Sequence, residues 1–153
     1  MAKKGDNSKA ALVAALNGAL ADHLALYVKT KSFHWHVAGP RFRDLHLLFD
    51  EQATQILGVT DLIGERVRKN GADTLTSIGA IAGTSAIKDQ NKTSLDAEKM
   101  VAELRDDNQT LLDRLRAVKD ASEQAGDHAT NGIVDDWIDQ AEQRVWFLTQ
   151  TLR

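Results

Sequence analysis

Five side chains in the first half of the chain have the types and spacing to hold a metal ion. His34 and His46 are twelve residues apart, Asp50 follows four residues after His46, Asp61 eleven later and Glu65 four later again. Imidazole and carboxylate donors without thiolate suit Fe(II), Mn(II) or Zn(II), and several carboxylates around a pocket in a helical bundle favour iron. Concentrated negative charge stabilises Fe(III) relative to Fe(II), so such a site is biased toward oxidising its metal. The chain has no cysteine, which removes disulfides, thiolate metal sites, iron–sulfur clusters and cysteine nucleophiles together.

Residues four apart share a helix face, so His46/Asp50 and Asp61/Glu65 are each one turn apart. Either pair alone also fits an ordinary His–Asp helix pair or a solvated acidic patch. With Leu45 at zero on a wheel of about 100° per residue, Phe49, Ile56, Val59 and Ile63 fall within about 40° and mark a core face. His46, Asp50, Asp61 and Glu65 spread from about 100° to about 200° and point largely away from it. Leu47 and Leu57 share that outward stripe, with Gly58 and Gly64 at its margins. Apolar residues with small neighbours on an outward face point to contact with another chain. Asp50 and Asp61 lie about 16 Å apart along the axis, whereas ligands of one ion lie within roughly 4–5 Å of each other, so the two pairs cannot share an ion within one chain. Two antiparallel copies of this helix, related by a two-fold axis between Gln55 and Ile56, would set His46 and Asp50 of one copy opposite Glu65 and Asp61 of the other. Two equivalent sites result. His34, on the inward stripe of the preceding helix, reaches the same end of the second helix as His46.

The elements that must position these groups are helical. The 153 residues suit one domain, with hydrophobic residues at 42% and charged residues at 27%, an ordinary globular balance. One proline and ten glycines are too few turn-formers for a many-stranded β protein. No apolar run approaches the roughly 20 residues of a membrane span. The polar N-terminus carries no apolar signal region, and a net charge of −3 argues against bulk attraction to nucleic acid. The expectation is a soluble, cytoplasmic protein without a membrane partner. Four periodic stretches run from about Ser8 to Trp35 (stripe Val13, Leu16, Leu20, Tyr27, His34), Pro40 to Asn70, Thr93 to Ala125 and Ala129 to Leu152 (stripe Ile133, Trp137, Ala141, Val145, Leu148). Residues 1–9 read as a flexible tail and 10–153 as one all-α four-helix-bundle domain. A long connection over Gly71–Lys92, with a short helix around Ser77–Ile81, lets the next helix start from the opposite end of the bundle, the one-crossover topology. An up-down-up-down bundle with a long loop is the alternative.

The segment FHWHVAGPRFRDLHLLFDEQATQILGVTDLIGERVRKNG, Phe33 to Gly71, resembles the Dps family of the ferritin superfamily. The ferroxidase pattern of that family is matched at every spacing by His34-Trp35, His46, Asp50, Asp61 and Glu65, and Gly39, Phe42 and Glu65-Arg66 also match. The resemblance implies a hollow dodecamer of tetrahedral symmetry. It oxidises Fe(II), two ions per site, usually with hydrogen peroxide in preference to dioxygen, and stores ferric mineral. His34, His46 and Asp50 would come from one subunit and Asp61 and Glu65 from its partner. Zinc is an alternative occupant, in which case the bundle serves as a plain scaffold.

Other residues keep two readings each. Trp35 either intercepts an oxidising equivalent beside the site or packs an interface. His36 reads as an extra surface or interface histidine, or as an auxiliary iron ligand. His23 is expected to be packed. Similar proteins line an iron-entry pore with aspartates near the start of the last helix, which nominates Asp127, Asp135 and Asp136; Gly132 stands where many relatives have Asp, and ordinary N-terminal helix acids explain these residues as well. Lys3, Lys4 and Lys9 against Asp6 make a basic tail of the kind through which some relatives bind DNA. Twelve copies would act together against an overall charge of roughly −36 for twelve chains at −3 each. Binding would then be weak, non-specific and salt-sensitive, and the protein nucleoid-associated; a nucleoid-architectural role is the alternative to iron oxidation.

Overall fold

The computed structural model describes residues 4–153, the side chains of residues 4 and 6 excepted. Its elements are α1 (Lys4–His36), α2 (Phe42–Lys69), α3 (Ile78–Thr84), α4 (Ala97–Gln124) and α5 (His128–Thr151), with no strand among the described residues. The four long helices and the short crossover helix are those expected. The start of α1 moves from Ser8 to Lys4, so Lys9 stands exposed on a helix. Lys3 and the Lys4 side chain lie outside the described residues.

The α2 core face is the one its periodicity marks: Leu45, Phe49, Ile56, Val59, Ile63 and Val67 are buried. The expected stripes of α1 and α5 hold in part, with Leu16, Leu20, Trp137, Ala141 and Leu148 buried. On α1 the buried line is Leu12, Leu16, Ala19, His23, Leu26, Thr30 and Phe33, while Val13 and Tyr27 are only partly buried. On α5 it is Thr130, Val134, Trp137, Ala141, Arg144 and Leu148, and Ile133 is exposed. Apolar residues on several sides of these helices leave the face to be chosen by packing. The absence of a span-length apolar run is also corrected. Helix Asn7–His36 is long and apolar enough to cross a membrane, with mean hydropathy 1.5 over its most apolar window; half of that window is buried inside this bundle.

Cross-helix bonds settle the topology. Lys29 meets Glu103 and Asp107, and Asp22 meets Arg114, so α4 runs antiparallel to α1. Arg66 near the end of α2 meets Asp127 at the start of α5, and Arg41 donates to the Thr151 carbonyl at the other end. Asn108 with Arg144, and Lys119 with Asp135, make α4 and α5 antiparallel. Helices α2 and α4 are therefore parallel, and the chain must travel the length of the bundle between them. It does so along α1, fastened where Asn17 meets Asp73 and Thr74, where Asp22 accepts from Ser85 and the Ala86 amide, and where Lys29 donates to the Lys88 carbonyl. The up-down-up-down alternative is excluded. Gly39, at φ 108, supplies the left-handed turn between α1 and α2, where its carbonyl accepts from the Phe42 amide.

Each long helix buries at least one large polar side chain, His23, Gln52, Asn108 and Arg144 among them, and α1 also buries Asp22. Arg144 Nε donates to Asn108 Oδ1 at 2.7 Å. The His23 Nδ1–H donates to the Ala19 carbonyl at 2.6 Å. Burial, with a smaller contribution from the nearby Arg144 guanidinium and against the hydrogen bond to Ala19, pushes the His23 pKa down from 6.5 to about 4. Arg144 itself is lowered by burial to about 10 and stays cationic at neutral pH. Between pH 6.5 and 4 the unfolded chain holds a proton at His23 that the folded chain does not, so stability is complete above that window and falls on acidification. The loss from this residue is expected to reach at most about 3 kcal/mol near pH 4. Denaturant unfolding across this range should show a shallower pH slope in His23→Gln than in the parent.

Candidate metal centre

His34 near the end of α1 and His46 in the second turn of α2 face each other across the Gly39 turn. Their rings stack at 3.8 Å between centroids, 13° from parallel. His34 Nδ1 lies 2.6 Å from the His46 carbonyl, and His46 Nδ1 lies 2.7 Å from the His34 carbonyl. A carbonyl can only accept, so each Nδ1 carries the proton and each Nε2 keeps its lone pair. Metal-binding histidines are oriented in this way, one ring nitrogen anchored and the other free to coordinate. Phe42 stacks on the outer side of His46 at 5.0 Å, which accounts for a phenyl ring that is otherwise half exposed.

Asp50 Oδ1 lies 3.9 Å from His34 Nε2, which sets this carboxylate beside the stacked imidazoles. The same oxygen accepts from Lys31 Nζ at 2.6 Å. That hydrogen bond, with the ammonium charge, holds the Asp50 carboxyl below its ordinary pKa. Lys31 was not singled out by the spacing argument. The available signal was its place three residues before His34, on the same helix face.

Asp61 and Glu65 stand exposed farther along α2, and Glu65 makes a solvent-exposed pair with Lys69 at 3.6 Å. Within one chain, no three His, Asp or Glu groups among the described residues gather as a metal site. The flank bearing them carries Leu47, Leu57 and Leu62, each more than two-fifths exposed, and a Cβ added to Gly58 would meet nothing within 4 Å. Trp35 is also exposed, at 65%. His36 is exposed and donates through Nδ1 to the Ser32 carbonyl. His23 lies in the core, as expected.

The three aspartates nominated for a pore have different surroundings. Asp127 caps α5, accepting from the Thr130 amide and hydroxyl, and also accepts from Arg66 and Asn70. Although burial acts against it, this set of donors holds the Asp127 pKa far below the ordinary carboxylate value. It reads as a helix cap and a fastening between α2 and α5. Asp135 pairs with Lys119 at 2.8 Å, and Asp136 accepts from Gln140 on an exposed face.

An all-helical crossover bundle with paired histidines and carboxylates on one flank defines a ferritin-like protein. The ferritin family model, described as a ferritin-like domain, matches residues 13–153. The DNA protection during starvation protein of Brevibacillus brevis is 35% identical over 133 residues, covering 87% of this chain and 89% of that protein. A crystal structure of a Dps protein from Bacillus brevis superposes with a TM-score of 0.91 at 30% identity over the whole of both chains. A Dps protein from Vibrio cholerae O1, described as a member of a broad superfamily of ferritin-like diiron-carboxylate proteins, gives 0.90 at 28% identity, covering 96% of this chain and 92% of that one. This chain belongs to the Dps family of ferritin-like proteins.

The depressed Asp127 pKa means that its contribution to stability is present above the unfolded carboxylate value and is lost as pH falls below it. Asp127→Ala, measured by denaturant unfolding at neutral pH, is expected to cost about 2–3 kcal/mol, since it removes a cap and leaves Arg66 without its carboxylate.

Proposed function

We propose that the protein is a ferroxidase of the Dps type, which oxidises Fe(II) at sites completed by two copies of the chain and stores the ferric product in a hollow dodecamer. The observation that carries this reading is the reciprocal anchoring of His34 and His46. It presents two coordinating nitrogens beside Asp50 and leaves the set short of ligands. Asp61 and Glu65 lie on the same helix, exposed among exposed leucines, so a two-fold partner laid antiparallel along α2 would supply them and cover the apolar flank.

Iron is the substrate here. Two Fe(II) ions held by the five groups each give up one electron. Hydrogen peroxide accepts both electrons together with two protons and becomes two waters, so no hydroxyl radical is released. Dioxygen is the slower oxidant in this reading, and zinc would occupy the same donors without redox chemistry. Trp35, exposed next to His34, stands where it would meet an escaping oxidising equivalent or the partner's surface. Asp136, and Asp135 after release from Lys119, remain the candidates for iron entry. The described part of the N-terminal helix offers Lys9 to a polyanion. With Lys3 and Lys4 it supports weak, salt-sensitive DNA contact and a cytoplasmic, nucleoid-associated location.

Ferrous titration with peroxide is expected to saturate near two irons per site. His46→Ala and Asp50→Ala should each slow oxidation by about tenfold or more, and unaltered rates in both would reject the site. Particle mass near twelve subunits is expected, and a monomer would remove the shared site. Gel shift at low ionic strength should show DNA retardation that deletion of residues 1–9 abolishes.

A further inference from the structure

We infer that Arg144 and Gln52 form a binding site for one small monovalent anion, a halide of the size of chloride, inside the bundle between α2 and α5. The site lies on the inner side of α2, about 200° of helical turn from Asp50, and does not depend on the metal-site reading.

Arg144 is 1% exposed and Gln52 is 2% exposed. A guanidinium offers five N–H donors. Arg144 Nε donates to Asn108 Oδ1, but Nη1 is buried with no hydrogen-bond partner among the described residues. Both polar atoms of the Gln52 amide are in the same condition. Unmet donors at this depth are costly, and an unpaired charge is costlier still.

The charge is the stronger indication. Burial lowers the Arg144 pKa to about 10, and no carboxylate among the described residues acts against that shift. The guanidinium is therefore cationic at neutral pH and lacks a counter-charge. The polar centre around it does not provide one. His23 is neutral, Gln52 and Asn108 are amides, and the buried Asp22 carboxylate is taken by Arg114.

Gln52 and Arg144 share a cavity of about 10 Å³, with Glu51, Gln55 and Gln143 exposed at its rim. A space of this size takes one guest about as large as a water molecule. Sulfate, phosphate and carboxylates are too big for it. A halide is a single atom, accepts from several donors at once and cancels the charge, whereas water would meet the donors and leave the charge in place. With its Nε2–H turned toward the cavity, Gln52 donates to the anion together with Arg144 Nη1. An anion held only by the folded chain ties α2 to α5 and stabilises the bundle by mass action.

The test is thermal unfolding of the assembled protein in sodium chloride and in sodium gluconate at equal ionic strength, gluconate being too large for the cavity. It compares the parent, Arg144→Met, Gln52→Glu and Glu51→Gln. Chloride well above its Kd is expected to raise the parent midpoint by about 3 °C or more. Arg144→Met removes the charge and Gln52→Glu supplies a fixed counter-charge, so both should lose the chloride effect, while Glu51→Gln should keep it. Crystals soaked in bromide should show an anomalous peak within hydrogen-bond distance of Arg144 and Gln52. A parent indifferent to chloride, a chloride effect that persists in Gln52→Glu, or water alone at the site would each overturn the proposal. A chloride effect that appears only in Glu51→Gln would make the rim carboxylate the counter-charge, and a bromide peak without any effect in solution would mean an adventitious ion only; either result also overturns it.

Discussion

The two hydrogen bonds that His34 and His46 exchange across the α1–α2 turn are the constraint on which the site depends. Each imidazole anchors itself on the backbone of the residue it stacks against. One contact therefore fixes the register of two helices, the ring orientations and the tautomers. Gly39 makes the turn short enough for this exchange, and the buried rings of Phe33 and Phe49, 6.5 Å apart, hold the helices together beneath it. A side chain at residue 39 would strain the left-handed backbone there and disturb a coordinating geometry several residues away.

The candidate donors lie on a flank of the bundle, and its centre shows why. Ferritin-like metal sites inside a bundle use inward-facing glutamates and histidines. Here the buried polar side chains include a neutral His23, the amides of Gln52 and Asn108 and the cationic Arg144, and the buried carboxylate of Asp22 is already taken by Arg114, Ser85 and the Ala86 amide. A buried guanidinium repels a divalent ion. Carboxylates are instead placed along the outer side of α2, where a single chain cannot bring enough of them together. The same helix that builds the core with Leu45, Phe49, Ile56 and Ile63 carries the donors on its other side.

The crossover makes this arrangement possible. Because α2 and α4 run parallel, the connection must climb α1, and it is fastened there by Asn17, Asp22 and Lys29. Arg66, next to Glu65, is bound to Asp127 at the start of α5, so the far end of α2 is fixed as firmly as the histidine end. A rigid α2 held at both ends suits pairing with a second copy, since the donor pairs must keep their separation to face each other.

Periodicity and spacing made much of this legible. The five donors lie within 32 residues of one another on two adjacent helices, and helical geometry alone says which share a face and which are too far apart to share an ion. The α2 core face followed for the same reason, since its polar and apolar sides are distinct. The faces of α1 and α5 followed only in part, because apolar residues lie on several sides of those helices, and burial of Arg144 was decided by its neighbours. Asp127 illustrates the other failure. Its sequence neighbourhood fits a pore or a cap equally well, and only the approach of Arg66 and Asn70 assigns its carboxylate. The amino-acid sequence by itself determined the types of the candidate donors, the helix faces they share and the distance between the two pairs on α2, because these follow from a fixed rise and twist per residue. The tertiary structure alone decided the imidazole tautomers, the hold of Lys31 on Asp50 and the polar centre, because each depends on groups brought together by packing and not by spacing along one helix.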